Sequence, residues 1–87
     1  MTYALAFAPE ARVAWRALPV ELQEVVLDEL DRLAADPLSL PRGATVRDII
    51  HESAGTRHYV FLQVSVSHAR QTLDLYTAGY HARRIDG

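Results

Sequence analysis

Thr56–Arg84, TRHYVFLQVSVSHARQTLDLYTAGYHARR, is the stretch on which the reading of the whole chain turns. Side chains alternate along a strand, so Val60, Leu62, Val64 and Val66 fall on one face, and Arg57, Tyr59, Phe61, Gln63 and Ser65 on the other. The first face reads as core. The second reads as a surface carrying an arginine, two aromatics and hydrogen-bonding groups. The polar run Ser67-His68-Ala69-Arg70-Gln71 reads as the connection to a second long strand, which closes the hairpin. In that strand Asp74, Tyr76, Ala78, Tyr80 and Arg84 are expected on one side, with Leu73, Leu75 and Thr77 on the opposite one. Arginine stands at the entrance of the hairpin, and His81, Arg83 and Arg84 stand at its exit.

The segments upstream supply the cover for such a sheet. Thr2 to Ala8 alternates, with Tyr3, Leu5 and Phe7 on one side, and reads as a strand with its large side chains in the core. Pro9 ends it and opens a short helix over Glu10 to Ala17, with Glu10 near the positive helix end. Val13 and Leu18, or Ala14 and Ala17, are its inward candidates. Leu18-Pro19 breaks this helix, because the residue before proline disfavours the helical region. Pro19 then starts a longer one, in which Leu22, Val26, Leu30 and Leu33 form an apolar stripe widened by Val25, Leu27 and Ala34. Glu21, Glu24, Asp28 and Asp31 occupy the rest of its surface as a solvated face.

Asp36-Pro37 stops the helix, and Pro37 to Gly43 is a loop. Thr45 to Glu52 reads as a strand, although Val46, Ile49 and Ile50 do not alternate cleanly. Either both of its faces are partly buried or a bulge lies near Asp48. Ser53-Ala54-Gly55 is a turn. The order is β-α-α-β-β-β, which predicts an α+β fold in one domain over residues 1–87, an antiparallel-rich sheet with a helical hairpin on one face.

Composition narrows the function classes. With 87 residues, 49% apolar and 23% charged, the chain has the makeup of a small globular domain. No stretch approaches the roughly 20 apolar residues that cross a bilayer. The opening MTYALAFAPEAR is not expected to act as a signal peptide, because its short apolar run lacks a basic leader and meets Pro9 early. The absence of cysteine removes disulfides, thiolate zinc sites and cysteine nucleophiles, and fits a cytoplasmic location. All nine basic residues are arginine.

Residues 1–43 carry four arginines and seven acids (4 − 7 = −3), and residues 44–87 carry five arginines and four acids (5 − 4 = +1) together with all four histidines. A generic nucleic-acid binder carries a strong basic footprint. Any such role here must use a local patch.

The pattern YALAFAPEARVAWRALPVELQEVVLDELDRLAADP, then a loop, TRHYVFLQV and a closing strand ending in GYHARR, resembles the RelE/ParE toxin superfamily over nearly the whole chain. The resemblance lies in the Tyr3/Leu5/Phe7 strand, Pro9, Trp15, Leu18-Pro19, the leucine-rich helix ending at Asp36-Pro37, and Arg57 at the start of the third strand. It implies the toxin of a type II toxin–antitoxin pair, held by a cognate antitoxin as a hetero-oligomer. RelE-like members are ribosome-dependent mRNA interferases. These endoribonucleases inhibit translation without a metal or other cofactor, by driving a 2′-hydroxyl onto the adjacent phosphate.

Such chemistry needs a base, a cation for the developing phosphate charge and an acid for the leaving oxygen. By this resemblance Arg57 holds the scissile phosphate, Arg83 stabilises the transition state and His81 serves as base or acid. Arg47, Tyr59, Tyr80 and Arg84 are the accompanying substrate-binding candidates, with Tyr80 able to stack on a base. The lysines of many RelE-like second strands are missing, and Arg47, Asp48 and His51 stand in that region. A terminal tyrosine has no counterpart after Arg84. The HARR end also resembles the closing segment of ParE-like members, which poison DNA gyrase. A decayed toxin that only binds its antitoxin is the third reading.

Each residue also has a plainer role. Arg57 can pair with Glu52 across the turn, His81 can be a surface histidine, and Arg83 and Arg84 can simply solubilise the end of the strand. His58 and His68 read as structural or exposed, and Trp15 and Tyr76 as core or antitoxin-contacting residues. His51 and His58 alone do not make a metal site.

Overall fold

The alternation after Thr56 becomes the longest pairing in the molecule. In a computed structural model, which describes residues 2–41 and 43–85, strand β3 (Thr56–Ser67) pairs antiparallel with β4 (Thr72–Arg84) over its full length. Arg42 of the loop and the terminal Asp86 and Gly87 lie outside the described residues. On the other side of β3 runs β2 (Ala44–Ser53), antiparallel and in unbroken register, so the bulge considered near Asp48 does not form. β1 (Ala4–Phe7), shorter than the Thr2–Ala8 expectation, lies along the far edge parallel to β4. The sheet order is therefore β1-β4-β3-β2, mixed but mostly antiparallel.

The turn between β2 and β3 is built from Ala54 (φ 51°) and Gly55 (φ 75°), both left-handed, which matches a two-residue hairpin turn to the sheet twist. Glycine adopts that region freely, whereas alanine does so at a steric cost.

One face of the sheet is covered by helix α1 (Pro9–Arg16) and helix α2 (Val20–Ala35), which restarts directly after Pro19. Leu22, Val26, Leu30, Leu33 and Ala34 of α2 are buried against Val60, Leu62 and Val64 of β3 and Leu73 and Leu75 of β4. Burying a Leu or Val side chain fully is worth roughly 1.5–3 kcal/mol, so these residues dominate the stability of the fold. From α1 it is Ala11 that is fully buried. Of the two candidate inward pairs, Leu18 is buried just beyond the helix but its companion Val13 is 70% exposed, and Ala14 and Ala17 are half-buried and exposed, respectively. Trp15 is half-buried, edge-on to Phe7, and donates its indole N–H to the Gln23 carbonyl at 3.2 Å. A short 3₁₀ turn at Pro37–Ser39 follows α2.

Directly opposed residues of a strand pair share a face, so the register assigns the faces of β4. Leu73 and Leu75 oppose Val66 and Val64, and the pairing then skips Tyr76, so that Thr77 opposes Gln63. The extra residue is a β-bulge, and it reverses the alternation beyond it. Ala78, Tyr80, Ala82 and Arg84 consequently join Leu73 and Leu75 on the helix side. Asp74, Thr77, Gly79, His81 and Arg83 lie on the open side. This corrects the uninterrupted alternation, which set Tyr80 and Ala78 against Leu73 and Leu75.

Candidate functional site

Three strands contribute rows of side chains to the uncovered face. Nearest the β2–β3 turn the row is Glu52, Arg57 and Arg83; the next is Ile50, Tyr59 and His81; the third is Asp48, Phe61 and Gly79. Arg57 and Arg83 are direct cross-strand partners, and the Tyr59 and His81 rings stack with centroids 5.9 Å apart and planes 30° apart. The Phe61 ring reaches across Gly79, with Cδ2 3.5 Å from where a Cβ would stand. The face is thus a platform with two guanidinium groups, one imidazole and two aromatic rings, bordered by the β2 side chains Val46, Asp48, Ile50 and Glu52.

Arg57 is engaged. Its Nε donates to Glu52 Oε1 at 2.7 Å, and its Nη2 lies 2.6 Å from the same oxygen. A hydrogen bond to the Tyr59 side chain, and after it the hydrogen bond and charge of Glu52, hold the guanidinium pKa above its ordinary value. Arg83 has no ion-pair partner among the described residues.

Of the residues named from the sequence, Arg57, Tyr59, His81 and Arg83 therefore share the open face. Arg47, Tyr80 and Arg84 do not: they oppose Leu62, Val60 and Thr56, on the helix side of the sheet. Tyr80 is bound into a different constellation. Its hydroxyl and His58 Nδ1 are 2.8 Å apart, and the two rings stack at 5.9 Å. His58 is buried, and its Nε2 lies 3.5 Å from Ser53 Oγ and 3.8 Å from Glu21 Oε1. Ser53 donates to Glu21 at 2.9 Å, and His51 Nε2 is 3.8 Å from the other Glu21 oxygen. This cluster ties the first turn of α2 to the far ends of β2, β3 and β4. The period of two, carried one step back from Val60, puts His58 on the core side, a signal for burial that the reading of His58 as structural or exposed does not use. Glu21, acidic and helical, carried no sign that it would meet two histidines.

Other polar contacts are also structural in character. Tyr3 hydroxyl and His68 Nδ1 are 2.8 Å apart, fastening the N-terminal segment to the β3–β4 turn, and Arg70 donates to the mostly buried Asp74 at 3.0 Å. Among the described residues no group of three His, Cys, Asp or Glu is arranged to hold a metal ion. No helix among the described residues is long and apolar enough to cross a membrane. Two clefts, of ≈ 220 and ≈ 280 Å³, are lined from β1, α1 and neighbouring segments, and neither includes Arg57, His81 or Arg83.

No family model and no curated protein sequence matches this chain. Solved structures do match in shape. The isolated RelE toxin of E. coli superposes with a TM-score of 0.65 at 24% identity, covering 93% of this chain and 86% of that one. The match in the intact E. coli RelBE toxin–antitoxin complex has a TM-score of 0.63 at 23% identity, covering 88% and 94%. The match in the archaeal RelE–RelB complex of Pyrococcus horikoshii OT3 has a TM-score of 0.59 at 19% identity, covering 90% and 93%. At these identities the likeness is one of fold, and the chain has the RelE toxin fold.

Proposed function

We propose that this chain is the toxin of a type II toxin–antitoxin pair and that its uncovered sheet face acts on the phosphodiester backbone of mRNA at the ribosome, as a metal-independent endoribonuclease in the cytoplasm. The observation that carries the reading is the clustering of Arg57, Tyr59, His81 and Arg83 on one open face, in a chain with the RelE toxin fold.

Each group has a role the reaction requires. A phosphate oxygen takes the Nε/Nη2 edge of Arg57, with Arg83 beside it to stabilise charge as the 2′-hydroxyl oxygen attacks phosphorus. His81 exchanges a proton with the attacking or the departing oxygen, the chemistry an imidazole performs near neutral pH, and solvent water exchanges the other proton, so that the 2′-hydroxyl loses one and O5′ gains one. The P–O5′ bond breaks, leaving a 2′,3′-cyclic phosphate and a 5′-hydroxyl. Tyr59 offers its ring to a nucleobase. A cognate antitoxin is the expected partner; RelB is bound in the complexes to which this fold is similar. It would lay an amphipathic segment over the helices or the sheet.

A second reading is favoured by one observation. The open face of β2 carries Val46, Asp48, Ile50 and Glu52, two aliphatics and two acids with no cation, which suits a protein-binding surface better than a polyanion. On that reading the chain binds gyrase or its antitoxin and cuts nothing.

Induced expression with and without the neighbouring gene, followed by primer extension on cellular mRNA, separates the two. Codon-positioned cuts and growth arrest that the neighbour relieves are expected, and both Arg57→Ala and Arg83→Ala should abolish the arrest. Gyrase-trapped DNA breaks without mRNA cuts would instead identify a poison, and full toxicity in both variants would remove these arginines from the mechanism.

A further inference from the structure

The contact between Glu52 and Arg57 occupies the place of a ligand oxyanion. A single oxygen, Glu52 Oε1, receives both Nε and Nη2 of Arg57, at 2.7 and 2.6 Å. That edge of the guanidinium is the one that takes a phosphate side-on. The pair is formed by direct cross-strand partners one step from the β2–β3 turn, with the Glu52 and Arg57 side chains 50% and 40% exposed. An ion pair so exposed adds little to the fold. Its effect is on the charge of the face, because it cancels one of the two cations in the row beside the stacked Tyr59 and His81 rings.

We propose that Glu52 is a built-in competitor for the oxyanion seat on Arg57, so that a phosphodiester engages this arginine only by displacing the carboxylate. The inference rests on the reading above, in which the phosphodiester backbone of RNA is the ligand of this face. It deepens that reading by assigning Glu52 as the residue that sets the threshold. RNA presented at high effective concentration displaces the carboxylate, whereas dilute free RNA does not. Exposure makes displacement easy, since the released carboxylate goes straight into water. Glu52 thereby makes the free protein a weak RNA binder without changing the groups that act on RNA once it is seated.

The test is equilibrium binding of a fluorescently labelled, mixed-sequence single-stranded RNA 12-mer to the full chain over a range of KCl concentrations. The variants are Glu52→Gln, which removes the charge, Glu52→Ala, which also removes the acceptor, and the double variant Glu52→Ala/Arg57→Ala. Both single variants should bind about fivefold more tightly than the wild type, the scale of one exposed ion pair. The slope of log K against log[KCl] should steepen by about 0.7, the value for one added phosphate contact on a single strand. The double variant should lose the gain. Unaltered affinity and slope in both single variants, no RNA binding by any variant, or a gain that persists in the double variant would each overturn the proposal. Tighter binding by Glu52→Ala with no mRNA cut on induced expression of any variant, read by primer extension, upholds the competitor while sinking the nuclease. Cleavage of cellular mRNA on induced expression of the wild type, with no effect of either Glu52 substitution on binding of the 12-mer, does the reverse.

Discussion

The two faces of β3 differ more than any two elements of the molecule. On the helix side Val60, Leu62 and Val64 are essentially without solvent contact and are held by α2. On the open side Arg57, Tyr59, Phe61, Gln63 and Ser65 are covered by no helix, although each sits one residue from a buried neighbour. One strand thus carries two separate selections. Its even-numbered residues are answerable to packing and its odd-numbered residues to what the face binds, so rigidity from the core is passed to the open face through the shared backbone. A platform of this kind holds its side chains without a pocket, and the two clefts of ≈ 220 and ≈ 280 Å³ lie elsewhere.

The largest effect that would break this comparison is on stability. Leu62→Ala should cost about 2–5 kcal/mol in urea denaturation, as buried leucines do, while Gln63→Ala beside it should stay within about 0.5 kcal/mol. Equal losses at the two positions would mean that the open face is packed against something as firmly as the core.

A smaller but sharper contrast lies in the adjacent pair Arg83 and Arg84. The former opposes Arg57 on the open side, and the latter opposes Thr56 on the helix side. Arg83→Ala should lower the rate of RNA cleavage by about a hundredfold, the usual loss when one donor to a developing oxyanion is removed. Arg84→Ala should lower it by less than threefold. Equivalent losses in a cleavage assay would erase the distinction between the faces at this end of the strand.

The smallest effect concerns the turn that presents Glu52 and Arg57. Ala54→Asn converts Ala-Gly into Asn-Gly, the pair such turns prefer, and should raise stability by about 0.5 kcal/mol with no change in the positions of the open-face groups. A loss of stability on thermal melting would contradict the left-handed conformation of Ala54 (φ 51°).

Local signals made much of this legible. The period of two from Val60 to Val66 marks the core face of β3. The Leu22/Val26/Leu30/Leu33 stripe identified the buried side of α2, and Asp36-Pro37 marked its end within a residue. What failed was decided by pairing between distant segments. The bulge at Tyr76 arises from how β4 meets β3, and nothing within TLDLYTAGY announces it; Tyr80 and Arg84 were therefore grouped with the wrong neighbours. Val46 and Ile50 disturbed the alternation of β2 because they are apolar on the open side, 61% and 63% exposed, a choice packing does not make. In α1 the inward position went to Ala11 instead of Val13, because a helix of eight residues presents too little stripe to fix its rotation.

For the candidate site, Arg57 and Tyr59 followed from the same alternation, and the resemblance supplied His81 and Arg83. The pairing of Arg57 with Glu52 was weighed from the sequence as its plainer role, and that is the contact observed.

The extra residue at Tyr76 has one more implication, for how this sequence can change over time. Because the pairing already skips that residue, losing its one codon would leave Thr77 opposite Gln63 and keep His81 and Arg83 on the open face, whereas a regular register that kept Tyr76 would turn both toward the helices. Substitutions along the same strand would act one group at a time. Position 76 is thus a place in β4 where a homologue can be one residue shorter and still present the same groups on the open face.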